Sequence, residues 1–328
     1  MILKIFNDKY IIAQYSLILG LFILLLSQNI VLYEPHGFGP LYTLIFQTLK
    51  ESSPLILSFV FGSLVLIEGL LLQIMGMYYN LIPRNNFLIP FVWLLLMFSN
   101  PVLASISPTI FALVIASYAF FKLVSISDKS YTLASLFTSG FFFSIASLIY
   151  GYMIWYILFL IIALLVLSLF KARETLVSII SFAIPYLYLV SYDFVFDNKL
   201  NLWPSFQFGI GNWTYPSNAV QLSISISLFI LILAIAFIST SKLTIQLNSK
   251  LIHIRKITSL LFILLILNVI LQFISDFWWF SNPINLFLPL TFIISIYISE
   301  QKKNYYLEAA ILIILILEII QLYYSHYA

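Results

Sequence analysis

A chain of 328 residues is long enough for about two soluble domains, yet 62% hydrophobic against 8% charged residues leaves too little polar surface to coat them. A mean hydropathy of +1.08 points to lipid as the solvent, where apolar side chains face outward without penalty. Disordered and collagen-like classes are excluded. So is nucleic-acid binding, because 15 basic and 12 acidic residues, a net charge of +3, build no phosphate-binding stripe.

The composition predicts an all-α, polytopic transmembrane bundle forming one domain over residues 1–328. About eleven apolar runs are expected to span: Tyr10 to Val31, Pro54 to Tyr79, Phe87 to Leu103, Thr109 to Val124, Tyr131 to Ile149, Tyr152 to Phe170, Thr175 to Tyr192, Ala219 to Thr240, Ile257 to Phe273, Ile284 to Ser299 and Tyr305 to Tyr323. The breaks at Ser99-Asn100-Pro101 and Tyr150-Gly151-Tyr152 read either as tight hairpins or as broken helices. Basic residues are retained on the cytoplasmic side of spans. With the N-terminus inside and the C-terminus outside, 13 of the 15 fall there, leaving Lys50 and Lys199 outside. No small-x-small cleavage site follows the first span, which is therefore expected to stay in the protein.

After the first span comes an external segment, residues 32–53, that opens with Tyr33-Glu34-Pro35-His36-Gly37. Its Leu41, Leu44, Ile45 and Leu49 recur at helical spacing, as in a helix lying in the interface. A carboxylate beside an imidazole, Glu34 with His36, suits a general base or a divalent-metal ligand; an ordinary solvated turn is the competing reading. Glu68 follows in mid-span within SLVLIEGLLLQ, where an ionisable side chain is either a proton or cation carrier or a hydrogen-bonded structural acid. The structural role is favoured, since no relay accompanies it.

Beyond the seventh span lies a second external segment, residues 193–218, with Asp193 and Asp197 four apart, on one face if the helix continues there and otherwise wet at its end, and Trp203 and Trp213 among Gly and Pro. Asp193 and Asp197 are candidate metal or acceptor contacts, and the two Trp candidate substrate contacts. Asp276 precedes Phe277-Trp278-Trp279-Phe280, a composition typical of an interfacial anchor. Glu318 in the last span carries the same two readings as Glu68. Cytoplasmic loops are short apart from Ser241 to Lys256, so chemistry is expected within the membrane or at its outer face. No Walker A, GxSxG, HExxH or GxGxxG pattern occurs, and with no cysteine there is neither disulfide nor thiolate chemistry. Pro90, Pro185 and Pro289 share no common offset, which weighs against an inverted-repeat transporter.

The run from Asp128 to Glu174, with LASLFTSGFFFSIASLIYGYMIWYILFLIIALLVLSLFKARE ahead of SFAIPYLYLVSYDF, resembles the middle of an uncharacterised family of polytopic inner-membrane proteins from Bacteroidota. The layout as a whole, an acid soon after the first span, an external interfacial helix and then many spans, is similar to membrane glycosyltransferases of the GT-C type that use polyprenyl-phosphate sugars. That resemblance implies an external acid acting as base or metal ligand, and Glu34 matches it by position. The paired acids of that class and an external Arg for the lipid phosphate are absent here. Three functions follow as expectations. The first is a glycosyltransferase-like protein of the bacterial inner membrane, with Glu34 as base, His36 supporting it, a divalent metal as candidate cofactor and a polyprenyl-phosphate lipid as partner. The second is a non-enzymatic subunit whose aromatic external loops contact a membrane protein partner, and the third an ion-coupled transporter centred on Glu68.

Overall fold

The computed structural model describes residues 6, 10–26, 31–32, 39–50, 52–83, 86–99, 105–128, 132–196, 219–275, 283–301 and 305–327. Among these the architecture is all-helical apart from one two-residue parallel pairing. The first half comprises α1 (Ile11–Leu26), β1 (Val31–Leu32), α2 (Pro40–Lys50), α3 (Pro54–Tyr78), α4 (Leu88–Phe98), β2 (Ser105–Ile106), α5 (Pro108–Val124) and α6 (Thr132–Ile149). The second comprises α7 (Tyr156–Val166), α8 (Ala172–Val195), α9 (Ala219–Gln246), α10 (Ile252–Ser275), α11 (Ile284–Glu300) and α12 (Tyr305–Tyr327).

A helix coincides with at least part of each apolar run read from the sequence, but their lengths divide them. Among the described residues four helices are long and apolar enough to cross a membrane by themselves, within Pro54–Tyr78, Ala172–Val195, Leu222–Ser249 and Ile252–Ile274. They carry outward-facing apolar side chains, Phe59 at 77% exposure among them, which is the signature of a lipid-facing surface. The protein is therefore an integral membrane protein by its helices. α4 differs. Its 11 residues rise only about 16 Å, short of a hydrocarbon core of about 30 Å, and all of them are buried. The run Phe87 to Leu103 thus holds a core helix enclosed by protein, because a short helix apolar on every side is stable only where other helices cover it. α11, buried from Phe287 through Ile298, packs against α4 to form the centre of the bundle.

The Tyr150-Gly151-Tyr152 break is a true interruption. Tyr150 takes an extended conformation (φ −127°, ψ 104°), Gly151–Trp155 forms a 3₁₀ turn and α7 begins afresh. Close approach of helices relies on small residues, as lipid supplies no hydrophobic drive between them. At the α6–α8 contact a Cβ on Gly140 would lie 2.0 Å from Ser181 Oγ. Hydroxyls in these helices bond back to carbonyls three or four residues earlier, as Ser139 does to Leu136 and Ser181 to Ser178, both at 2.9 Å, so they cost little in an apolar setting.

Contacts between helix termini sort the loops into two sets. At one end, called here the Gly39 end, Val31 and Leu32 pair with Ser105 and Ile106. Gly39 N–H donates to Ile149 O at 2.8 Å there. Leu41 packs on the Leu148–Leu189 pair that joins α6 to α8. At the other end, Phe87 N–H donates to Gln14 Oε1 at 3.0 Å and Tyr79 OH to Phe121 O at 2.9 Å. Lys256 Nζ reaches Leu167 O at 3.2 Å, and Lys250 pairs with Glu300 at 2.5 Å, at this same end.

Candidate functional site

Three features hold residues that chemistry would need. The first is the Gly39 end itself. α2 begins at Pro40, whose fixed φ suits a first helical turn. Just before it, Gly39 meets α6 so closely that a Cβ there would sit 2.0 Å from Leu148 O. Only glycine fits. A helix forms over Pro40–Lys50, and it packs on protein: Tyr42 is buried and its hydroxyl donates to Ile106 O at 3.4 Å. Leu41 and Ile45, read from the sequence as one apolar face, pack against the core.

α8 brings its last turn to the same place. Asp193 is buried one turn beyond Leu189, and Tyr186 one turn before it shares a 2.8 Å hydrogen bond with Ser147 of α6. Tyr150 and Tyr152, rings 5.4 Å apart, are buried at the end of α6. The chain on both sides of the Glu34-containing segment, at Leu32 and at Gly39, is therefore anchored at the end where α8 presents Asp193. Glu34, His36, Asp197, Trp203, Trp213 and Asp276 lie outside the described residues. Among the described residues no group of three or more His, Cys, Asp or Glu is placed to hold a metal.

The second feature is the intramembrane acid on α3. Glu68 is fully buried, and Ser117 Oγ of α5 donates to its Oε1 at 2.5 Å. Its Oε2 has no hydrogen-bond partner. Nearby, Trp93 Nε1–H donates to Val65 O at 3.1 Å and Gln73 Nε2–H to Asn86 O at 3.0 Å, while Gln73 Oε1 is buried without a partner. Gly69 lets the Trp93 ring approach, since a Cβ there would stand 3.3 Å from it.

The third is an apolar groove of about 490 Å³ between α9, α10 and α11. Leu233, Ala236, Phe237, Val269, Phe273 and Leu286 are among its walls, with Thr240 and Gln272 as polar members. Phe237 and Phe273 are also exposed on the outer surface, so the groove opens sideways onto the lipid-facing flank. Glu68 is not among the lining residues.

A polar relay that sequence reading passed over joins two of these helices to α7. Tyr156 OH donates to Asn268 Oδ1 at 2.7 Å, and Asn268 Nδ2–H to Asn285 O at 2.9 Å, linking α7, α10 and α11. Its signal was Asn268, an amide in the middle of LFILLILNVILQF, where an unpaired one would cost several kcal/mol. Attention to ionisable residues alone missed it. Comparison with protein-family models, with curated proteins and with solved structures finds no match to this chain.

Proposed function

We propose that the protein is a membrane-embedded, glycosyltransferase-like protein that takes a polyprenyl-phosphate-linked sugar at the outer face of a bacterial inner membrane. The observation that carries this reading is the convergence at the Gly39 end. The chain flanking Glu34 and His36 is anchored against α6 within reach of the α8 turn that bears Asp193. Such chemistry needs a base and a metal or acceptor contact at one face, and the described anchors on either side of residues 33–38 lie at the same end as Asp193. In this proposal Glu34 is the base, His36 supports it, and Asp193 with Asp197 contacts acceptor or divalent metal. Trp203 and Trp213 stack on the sugar.

Two further observations support the reading. The groove between α9, α10 and α11 suits the hydrocarbon tail of such a donor, being apolar and open to lipid. The sorting of loops into two ends supports an orientation with the N-terminus inside: the termini joined to Gly39 are those expected outside, and the termini carrying Lys250 and Lys256 those expected inside. The test is mass spectrometry of lipids copurified in mild detergent with the wild type, Glu34→Gln and the groove-filling Ala236→Trp. A polyprenyl phosphate or its sugar adduct in the wild type, accumulated in Glu34→Gln and depleted in Ala236→Trp, supports the proposal. Bulk phospholipid alone in all three samples refutes it.

A further inference from the structure

We propose that the contact between α12 and α9 holds a site for a small monovalent cation of sodium size, formed by Glu318 and Gln321. This inference is independent of the lipid-substrate reading. Glu318 and Gln321 are three residues apart on α12 and so share a face, and both are 3% exposed. Gln321 Nε2–H donates to Ser225 Oγ of α9 at 3.1 Å, which pins the amide across the helix contact. Three oxygens are then left over: both carboxyl oxygens of Glu318 and the amide oxygen of Gln321 are buried without a hydrogen-bond partner.

A buried carboxylate has to be neutralised, because leaving it unpaired costs several kcal/mol. Among the described residues Glu318 has no ion-pair partner. On α9 the charged residue is Lys242, seventeen positions from Ser225 and so about 25 Å along the axis. On α12, Glu308 is itself an acid, and the described parts of α4 and of α11 before Glu300 bring no charge. Among the described residues nothing supplies the countercharge, which leaves a proton or a bound cation. A proton on Glu318 donated to Gln321 Oε1 would satisfy two of the three oxygens and leave the carboxyl carbonyl unpaired, whereas a hard cation takes all three at once. Monovalence follows from the single carboxylate: a divalent ion would leave one positive charge uncompensated in a low dielectric.

The experiment follows the thermal unfolding of the full chain in detergent at pH 8 and constant ionic strength, with sodium chloride exchanged stepwise for choline chloride. A cation that binds only the folded state raises Tm with the logarithm of its concentration above Kd. The wild type is expected to show that rise, Glu68→Gln to keep it, and both Glu318→Gln and Gln321→Leu to lose it. Equal Tm of the wild type in sodium and in choline overturns the proposal, as does a rise that persists in Glu318→Gln or Gln321→Leu. Should either variant fail to fold, the wild type and the other variant still decide.

Discussion

Replacing Gly39 by alanine tests the convergence on which the functional reading stands. The added Cβ would lie 2.0 Å from Leu148 O and 2.5 Å from Leu148 C, both backbone atoms that no rotamer change can move. Real Cβ contacts stay beyond 3.0 Å, so the two segments must part by about an ångström. The hydrogen bond from Gly39 N–H to Ile149 O, 2.8 Å long, then stretches to about 3.8 Å and is lost. Overpacking costs about 1–3 kcal/mol. The broken bond adds about 1 kcal/mol. The docking of the Gly39–Lys50 segment on α6 should weaken by about 2–4 kcal/mol, roughly a 30- to 700-fold shift towards the detached state. A chain without cysteine permits a clean assay: Leu41→Cys with Leu148→Cys, oxidised in the membrane, reports the docking as cross-link yield. Gly39→Ala should lower that yield sharply, while a Cys pair across the α6–α8 contact keeps its own. Unchanged yield in Gly39→Ala would refute the argument from close approach.

At the α6–α8 contact, Gly140→Ala should lower thermal stability, and adding Ser181→Ala should restore much of it, because the 2.0 Å clash is with Ser181 Oγ and the remaining approaches exceed 3.0 Å; additive losses would contradict this. Tyr156→Phe leaves Asn268 Oδ1 buried without its donor and should cost about 1–3 kcal/mol. Tyr186→Phe should cost less, since Ser147 Oγ already donates to Ser144 O at 2.6 Å; denaturation of the two variants in detergent settles the order. Ser117→Ala strips Glu68 of its donor and should destabilise by about 1–3 kcal/mol, whereas Glu68→Gln keeps an acceptor for Ser117 and should unfold near the wild-type temperature. A Glu68→Gln variant that folds normally yet abolishes a host phenotype would instead favour the transport reading. Single cysteines at positions 50 and 199 should react with an impermeant maleimide in intact cells, and those at 171 and 256 should not; the reverse pattern would invert the proposed topology.

The all-helical character and the places of the helices were legible in the sequence, because lipid forces every backbone group to be satisfied within its own segment and apolar runs therefore become helices. The helix at Pro40–Lys50 was legible too, from Leu41, Ile45 and Leu49. Length and depth were not. Phe87 to Leu103 looks the same whether lipid or protein surrounds it, and only packing shows that α4 is enclosed. The acids Glu68 and Glu318 stand out in a sequence, but their surroundings come from other helices: Ser117 lies 49 positions from Glu68, and Ser225 lies 96 from Gln321. Hydropathy records which solvent a segment prefers and nothing about its neighbours. Which helices meet is decided by small residues such as Gly39 and Gly140, whose value lies in the atom they lack, and that value appears only once the opposing surface is in place.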